Sequence, residues 1–71
     1  MRVKWDDVFK IKDGWISPKH VVNVGGVQMT PKVSFKRGSS FGGVNLAKHA
    51  GKDLEIEKDK DTGVVTIKRF Y

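Results

Sequence analysis

The chain has no cysteine, only two prolines and two histidines, and no long apolar run. Without cysteine there can be no disulfide and no thiolate zinc site. Its absence fits a reducing compartment. Two histidines, His20 and His49, cannot fill a metal site alone. No stretch approaches the roughly 20 apolar residues of a membrane-spanning helix. Met1 to Lys12 alternates charge and lacks the apolar segment of a signal peptide. These absences predict a soluble, cytoplasmic protein, or one carried inside a virion, with no membrane partner and no cofactor. One further absence is local: Gly14 to Lys52 holds no acidic residue.

With 71 residues the sequence predicts one small β domain, 1–71. A chain this short buries about 60% of the surface its unfolded form exposes. A stability of about 3–5 kcal/mol follows. Good packing or self-association is the reinforcement left open, and a homodimer is one form of it.

Fourteen Lys and Arg face eight Asp and Glu, for a net charge of +6. Lys19, Lys32, Lys36, Arg37, Lys48 and Lys52 all fall in the acid-free stretch, while Asp53 to Tyr71 is nearly balanced. A region of one sign attracts polyanions through its field, whatever their sequence.

Alternation dominates the pattern, and ten valines favour strands. A short strand, Arg2 to Trp5, should be bent off by Asp6-Asp7 into a second, Val8 to Lys12, with Phe9 and Ile11 on one face and Val8, Lys10 and Lys12 on the other. Asp13-Gly14 signals a turn before Trp15-Ile16, and Pro18 interrupts the ladder. His20 to Val24 and Val27 to Thr30 flank Gly25-Gly26, a strong hairpin signal. Lys32 to Lys36 alternates, with Val33 and Phe35 on one side. Residues 37–43 (RGSSFGG) read as a loop. Val44 to Ala50 suits a short helical turn, capped by Asn45 and stopped by Gly51. Leu54 to Lys58 and Val64 to Phe70 form a hairpin around Asp59 to Gly63, with Glu55 and Glu57 facing out. In that register Phe70 shares a face with Lys68, as a ligand platform or as packing for a second subunit. The whole is all-β and mainly antiparallel: five to six short strands with at most one helical turn, in a small SH3-like or OB-like barrel.

Leu46 to Phe70 (LAKHAGKDLEIEKDKDTGVVTIKRF) resembles half of an AbrB-type swapped-hairpin domain, in which a short helix and a glycine precede an acidic-then-basic hairpin. The resemblance covers about a third of the chain and implies a DNA-binding dimer. The Pro-containing strand that precedes the helix in that family is replaced here by Ser39-Ser40-Phe41-Gly42-Gly43.

Chemistry-bearing patterns are few. Asp6 and Asp7 are adjacent, so on a strand they would point to opposite faces, which favours a turn or cap role over acid–base work. Neither histidine has a nucleophile pattern near it. Residues 37–43 lack the Gly-Lys-Ser/Thr of a phosphate loop; a surface loop is favoured over an anion nest. The chain therefore reads as a binding module, not an enzyme. Lys32, Lys36 and Arg37 lead into a loop tipped by Phe41, with Lys19 nearby. Cations that track phosphate beside an exposed ring that stacks on a base hold single strands on small β folds. Phe41 tucked over the core is the competing placement. Trp5 and Trp15 should mostly be buried, with Trp15 the better candidate to reach the surface. The expected nucleic-acid contacts are Lys19, Lys32, Lys36, Arg37, Phe41 and Trp15, to DNA or RNA with low sequence specificity. The alternative is a protein-interaction or structural accessory module, for example a small viral protein, acting through strand edges or as a homodimer.

Overall fold

A computed structural model describes all residues, Met1–Tyr71. The chain begins with strand β1 (Arg2–Lys4) and then makes a single helical turn, α1 (Trp5–Val8). Asp6 and Asp7 start that turn, and the Asp7 carboxylate accepts the Lys4 N–H at 3.0 Å. Carboxylates are favourable where helical N–H groups are unpaired. The turn places Trp5 and Val8 three residues apart on one side, both 1% exposed. The Trp5 indole N–H donates to the Leu46 carbonyl at 2.9 Å, satisfying the one polar group this ring buries. The expected bend at Asp6-Asp7 is present; the strand before it ends one residue earlier than the pattern suggests, because Trp5 joins the turn.

Nine further strands follow. They are β2 (Phe9–Lys12), β3 (Trp15–Pro18), β4 (Val22–Val24), β5 (Val27–Met29), β6 (Phe35–Lys36), β7 (Ser40–Phe41), β8 (Val44–Asn45), β9 (Asp53–Lys58) and β10 (Val65–Phe70). A 3₁₀ turn, Leu46–His49, separates β8 from β9. The chain is mostly β, and its pairings are antiparallel except one: β10 runs parallel to β4. The five-stranded sheet has the order β1-β9-β10-β4-β5, the three-stranded sheet β2-β3-β6, and β7-β8 is a separate ladder. Each order is open, and hydrogen bonds close none of the sheets into a ring. The β9–β10 hairpin is flanked on both sides by strands of its own chain, β1 and β4, unlike a hairpin given up to a second subunit.

One core of 13 buried residues lies among these sheets. Val22, Val24, Met29, Leu54, Ile56, Val65 and Ile67 come from the larger sheet, and Phe9, Ile16 and Phe35 from the smaller. Rings run through it: Trp5 to Phe9 at 5.0 Å, Phe9 to Phe35 at 6.5 Å, Phe35 to Phe41 at 4.8 Å. Edge and tilted contacts of this kind add to what area burial alone contributes.

Three hairpins turn on two residues, Asp13-Gly14, Gly25-Gly26 and Gly42-Gly43, with positive φ at both positions. That is the requirement of the primed turn that matches strand twist. The last of these lies in the stretch expected as a loop, and it joins β7 to β8. The tips of the second and third touch backbone to backbone: a Cβ on Gly25 would lie 2.6 Å from the Gly42 carbonyl oxygen. Glycine there is a packing requirement as well as a conformational one.

Ten short strands and two helical turns stand where the pattern predicts five to six strands and at most one turn, because ladders of two or three residues are too short to show a period. Two local expectations are also corrected. Lys68 is an extra residue in β10, because the pairing shifts between Ile67 and Arg69. The bulge brings Phe70 opposite the buried Leu54, so it leaves the Lys68 face and stacks on His49 at 3.9 Å. Asn45 precedes the 3₁₀ turn but makes no side-chain cap.

Burial, with Lys52 and Lys48 nearby, holds the His49 imidazole below its ordinary 6.5. The unfolded chain therefore takes up this proton first as pH falls. Stability from this group is complete above about pH 6.5 and declines as pH drops through the lower folded value. Denaturant midpoints should fall between about pH 7.5 and about pH 5.5, and His49→Gln should flatten that dependence. An unchanged slope in the variant would assign the effect to other groups.

Candidate binding face

The three-stranded sheet has one face in the core and one in solvent. Directly opposed residues of antiparallel strands share a face. Lys12 pairs with Trp15, and Trp15 with Lys36, so one row across the three strands reads Lys12, Trp15, Lys36. One step along, Lys10 pairs with Ser17. The Ser17 hydroxyl lies 3.4 Å from that of Ser34. In the intervening row Ile16 and Phe35 point inward and are buried, while Ile11, opposite Ile16 on the edge strand, is 46% exposed. Alternation thus gives this sheet an apolar back and a basic, aromatic front.

Trp15 is 45% exposed, whereas Trp5 is buried. The Lys36 ammonium lies 5.0 Å from the Trp15 ring centroid. That is within cation–π range, so the two groups are held as a unit. Beside the ring is an open depression of ≈ 550 Å³, lined by Lys10, Lys12, Asp13, Trp15, Ser17, Pro31 and Ser34. Its cause is side-chain length: two serines stand among lysines and an indole. Lys36 covers the ring but does not line the depression.

The lysines of this face are unpaired. The chain's ion pairs join the Met1 amine to Glu55, Arg2 to Asp53 at 2.8 Å and Lys68 to Glu57 at 3.4 Å, all on β1, β9 and β10 or at the chain start. Asp53, Glu55 and Glu57 are thus engaged on the larger sheet, and Asp59 caps the turn between β9 and β10. Glu55 in particular is held below the usual carboxylate range by the Met1 amine and by the Tyr71 hydroxyl, which donates to it at 3.0 Å. Asp13, at the hairpin tip, is the one acid bordering the depression.

Of the six residues singled out from sequence, Trp15 and Lys36 meet on this face. Lys32 is exposed and adjoins Pro31, which lines the depression; Arg37 is exposed in the turn that leaves β6. Lys19 is exposed just beyond β3, its backbone N–H bonded to the Val8 carbonyl at 2.7 Å. Phe41 is half-buried against Phe35, the core placement. Lys48 and Lys52 go with the 3₁₀ turn and its exit, beside His49. The acid-free stretch is therefore divided between regions. Lys10, Lys12, Ser17 and Ser34 complete the face and were not among the expected contacts. Their signal was present: Lys10 and Lys12 share a strand face, and a two-residue turn at Asp13-Gly14 puts Lys12 opposite Trp15.

No family model matches the chain, and no curated protein or solved structure matches it significantly. No helix is long and apolar enough to cross a membrane.

Proposed function

We propose that this chain is a small non-enzymatic module that binds nucleic acid with low sequence specificity through the outer face of β2-β3-β6. One observation carries the reading: an exposed indole lies between two lysines in a single cross-strand row, with a third lysine in the next row and no carboxylate paired to any of them. Cations at strand spacing suit a phosphate backbone, and they discriminate little between sequences. Lys32 and Arg37 at the rim, and Lys19 further off, extend the positive field. We also read two sheets around one core as an open form of the small SH3-like or OB-like barrel; in the OB type a sheet face holds oligonucleotides.

Three phosphate contacts predict a linear fall of log K with log salt. The slope should be about −2 on a single strand and about −3 on a duplex. Fluorescence anisotropy over a salt series measures it. No binding at about 50 mM salt would remove the proposal.

The second reading, a protein-interaction module, is favoured by one feature. The edge strand β5 (Val27–Met29) carries no charge and exposes Val27, whereas β1, β2 and β6 carry lysine or arginine. An uncharged edge can accept a partner strand or a second copy.

A further inference from the structure

We infer that the depression beside Trp15 is a seat for one unpaired base, so that the face takes single-stranded nucleic acid in preference to duplex. This deepens the proposed function and rests on it. A duplex keeps its bases stacked, so it could meet this sheet only through phosphate. A single strand can turn a base out onto an aromatic ring.

Three features fit a base. The ring that borders the depression is flat, half-exposed and fixed by Lys36, so little freedom is lost when it is stacked upon. The depression is open to solvent on its outer side, which admits a planar base laid against the ring. The paired hydroxyls of Ser17 and Ser34 border it. A hydroxyl both donates and accepts, so it can meet the edge of any base, which matches low sequence specificity. Lys10 and Lys12, on the same lining, stand where the flanking phosphates would pass.

The test uses the full chain, an oligothymidylate of about ten nucleotides, a duplex of equal length, and inorganic polyphosphate as a base-free polyanion. Indole fluorescence reports stacking directly, because Trp5 is buried and Trp15 is not. The oligothymidylate should quench it; polyphosphate should bind without comparable quenching. Trp15→Ala should weaken oligothymidylate binding by about 10- to 100-fold and change duplex binding by less than about twofold, while Trp15→Phe keeps most of the affinity. Ser34→Leu, which fills the depression and leaves every charge in place, should weaken oligothymidylate selectively. Thermal melts confirm that these exposed substitutions leave the fold intact. Equal affinity for single strand and duplex, unaffected by Trp15→Ala, would overturn the base seat and leave a polyanion face. Failure of all three probes to bind would overturn the proposed function itself.

Discussion

Gly42→Ala should remove most of the chain's stability at 25 °C, whereas Gly43→Ala, its neighbour in the same turn, should not. At Gly42 a Cβ would lie 2.7 Å from the Gly25 Cα and from the carbonyl oxygens of Gly25 and Val24. All three are backbone atoms, so no side-chain rotation relieves the contact. The residue also sits at φ +55, a conformation costing L-residues about 1–2 kcal/mol. Forcing backbones apart in a packed region adds about 1–3 kcal/mol. The sum approaches the whole stability of about 3–5 kcal/mol expected for so small a chain. At Gly43, φ is +79 but nothing lies within 4 Å of the added Cβ, so only the backbone cost remains. Circular dichroism melts of the two variants make the comparison. Coincident curves would mean that the tips of the two hairpins do not bear on one another.

The second large effect concerns binding. Reversing Lys10, Lys12 and Lys36 together to Glu should weaken oligonucleotide binding by at least about a hundredfold at about 50 mM salt, since each change both removes a phosphate contact and adds repulsion. The comparison variant reverses Lys48, Lys52 and Lys60, which are exposed, outside this face and not ion-paired. It has the same net charge. If binding followed net charge alone, the two variants would weaken equally. The face described here predicts that the comparison variant loses far less. All six positions are exposed, so folding is not at stake in either.

What the sequence made legible was local. Asp13-Gly14 and Gly25-Gly26 between alternating runs announced their hairpins, and Leu54, Ile56, Val65 and Ile67 announced the inner face of β9 and β10. Gly42-Gly43 escaped because its flanking strands are two residues each, too short to show a period. Trp5–Val8 escaped for the same reason: four residues cannot display a helical repeat. The parallel pairing of β4 with β10 joins Val22 to Val65, and so distant a contact leaves no mark on either segment. Phe70 was misplaced because a bulge breaks the two-residue rule that assigns faces.

The face was half legible. Trp15 and Lys36 stand out separately in the sequence, one as an aromatic after a turn and before Pro18, the other by its charge. Their meeting depends on β6 joining β3, which no spacing reveals. Lys10 and Lys12 do not stand out by charge, because the acid-free stretch begins only at Gly14, just after them. Charge runs along a chain and charge on a surface are different quantities, and the sheet converts one into the other.

The most direct measurement is an ¹H–¹⁵N NMR titration of the chain with oligothymidylate at about 50 mM salt. The expected shifts centre on Lys10, Lys12, Trp15, Ser17, Ser34 and Lys36 and include the Trp15 indole N–H, while the Trp5 indole and the β9–β10 hairpin stay still. Shifts centred on Lys48, Lys52 and the larger sheet, or no shifts at all, would contradict it.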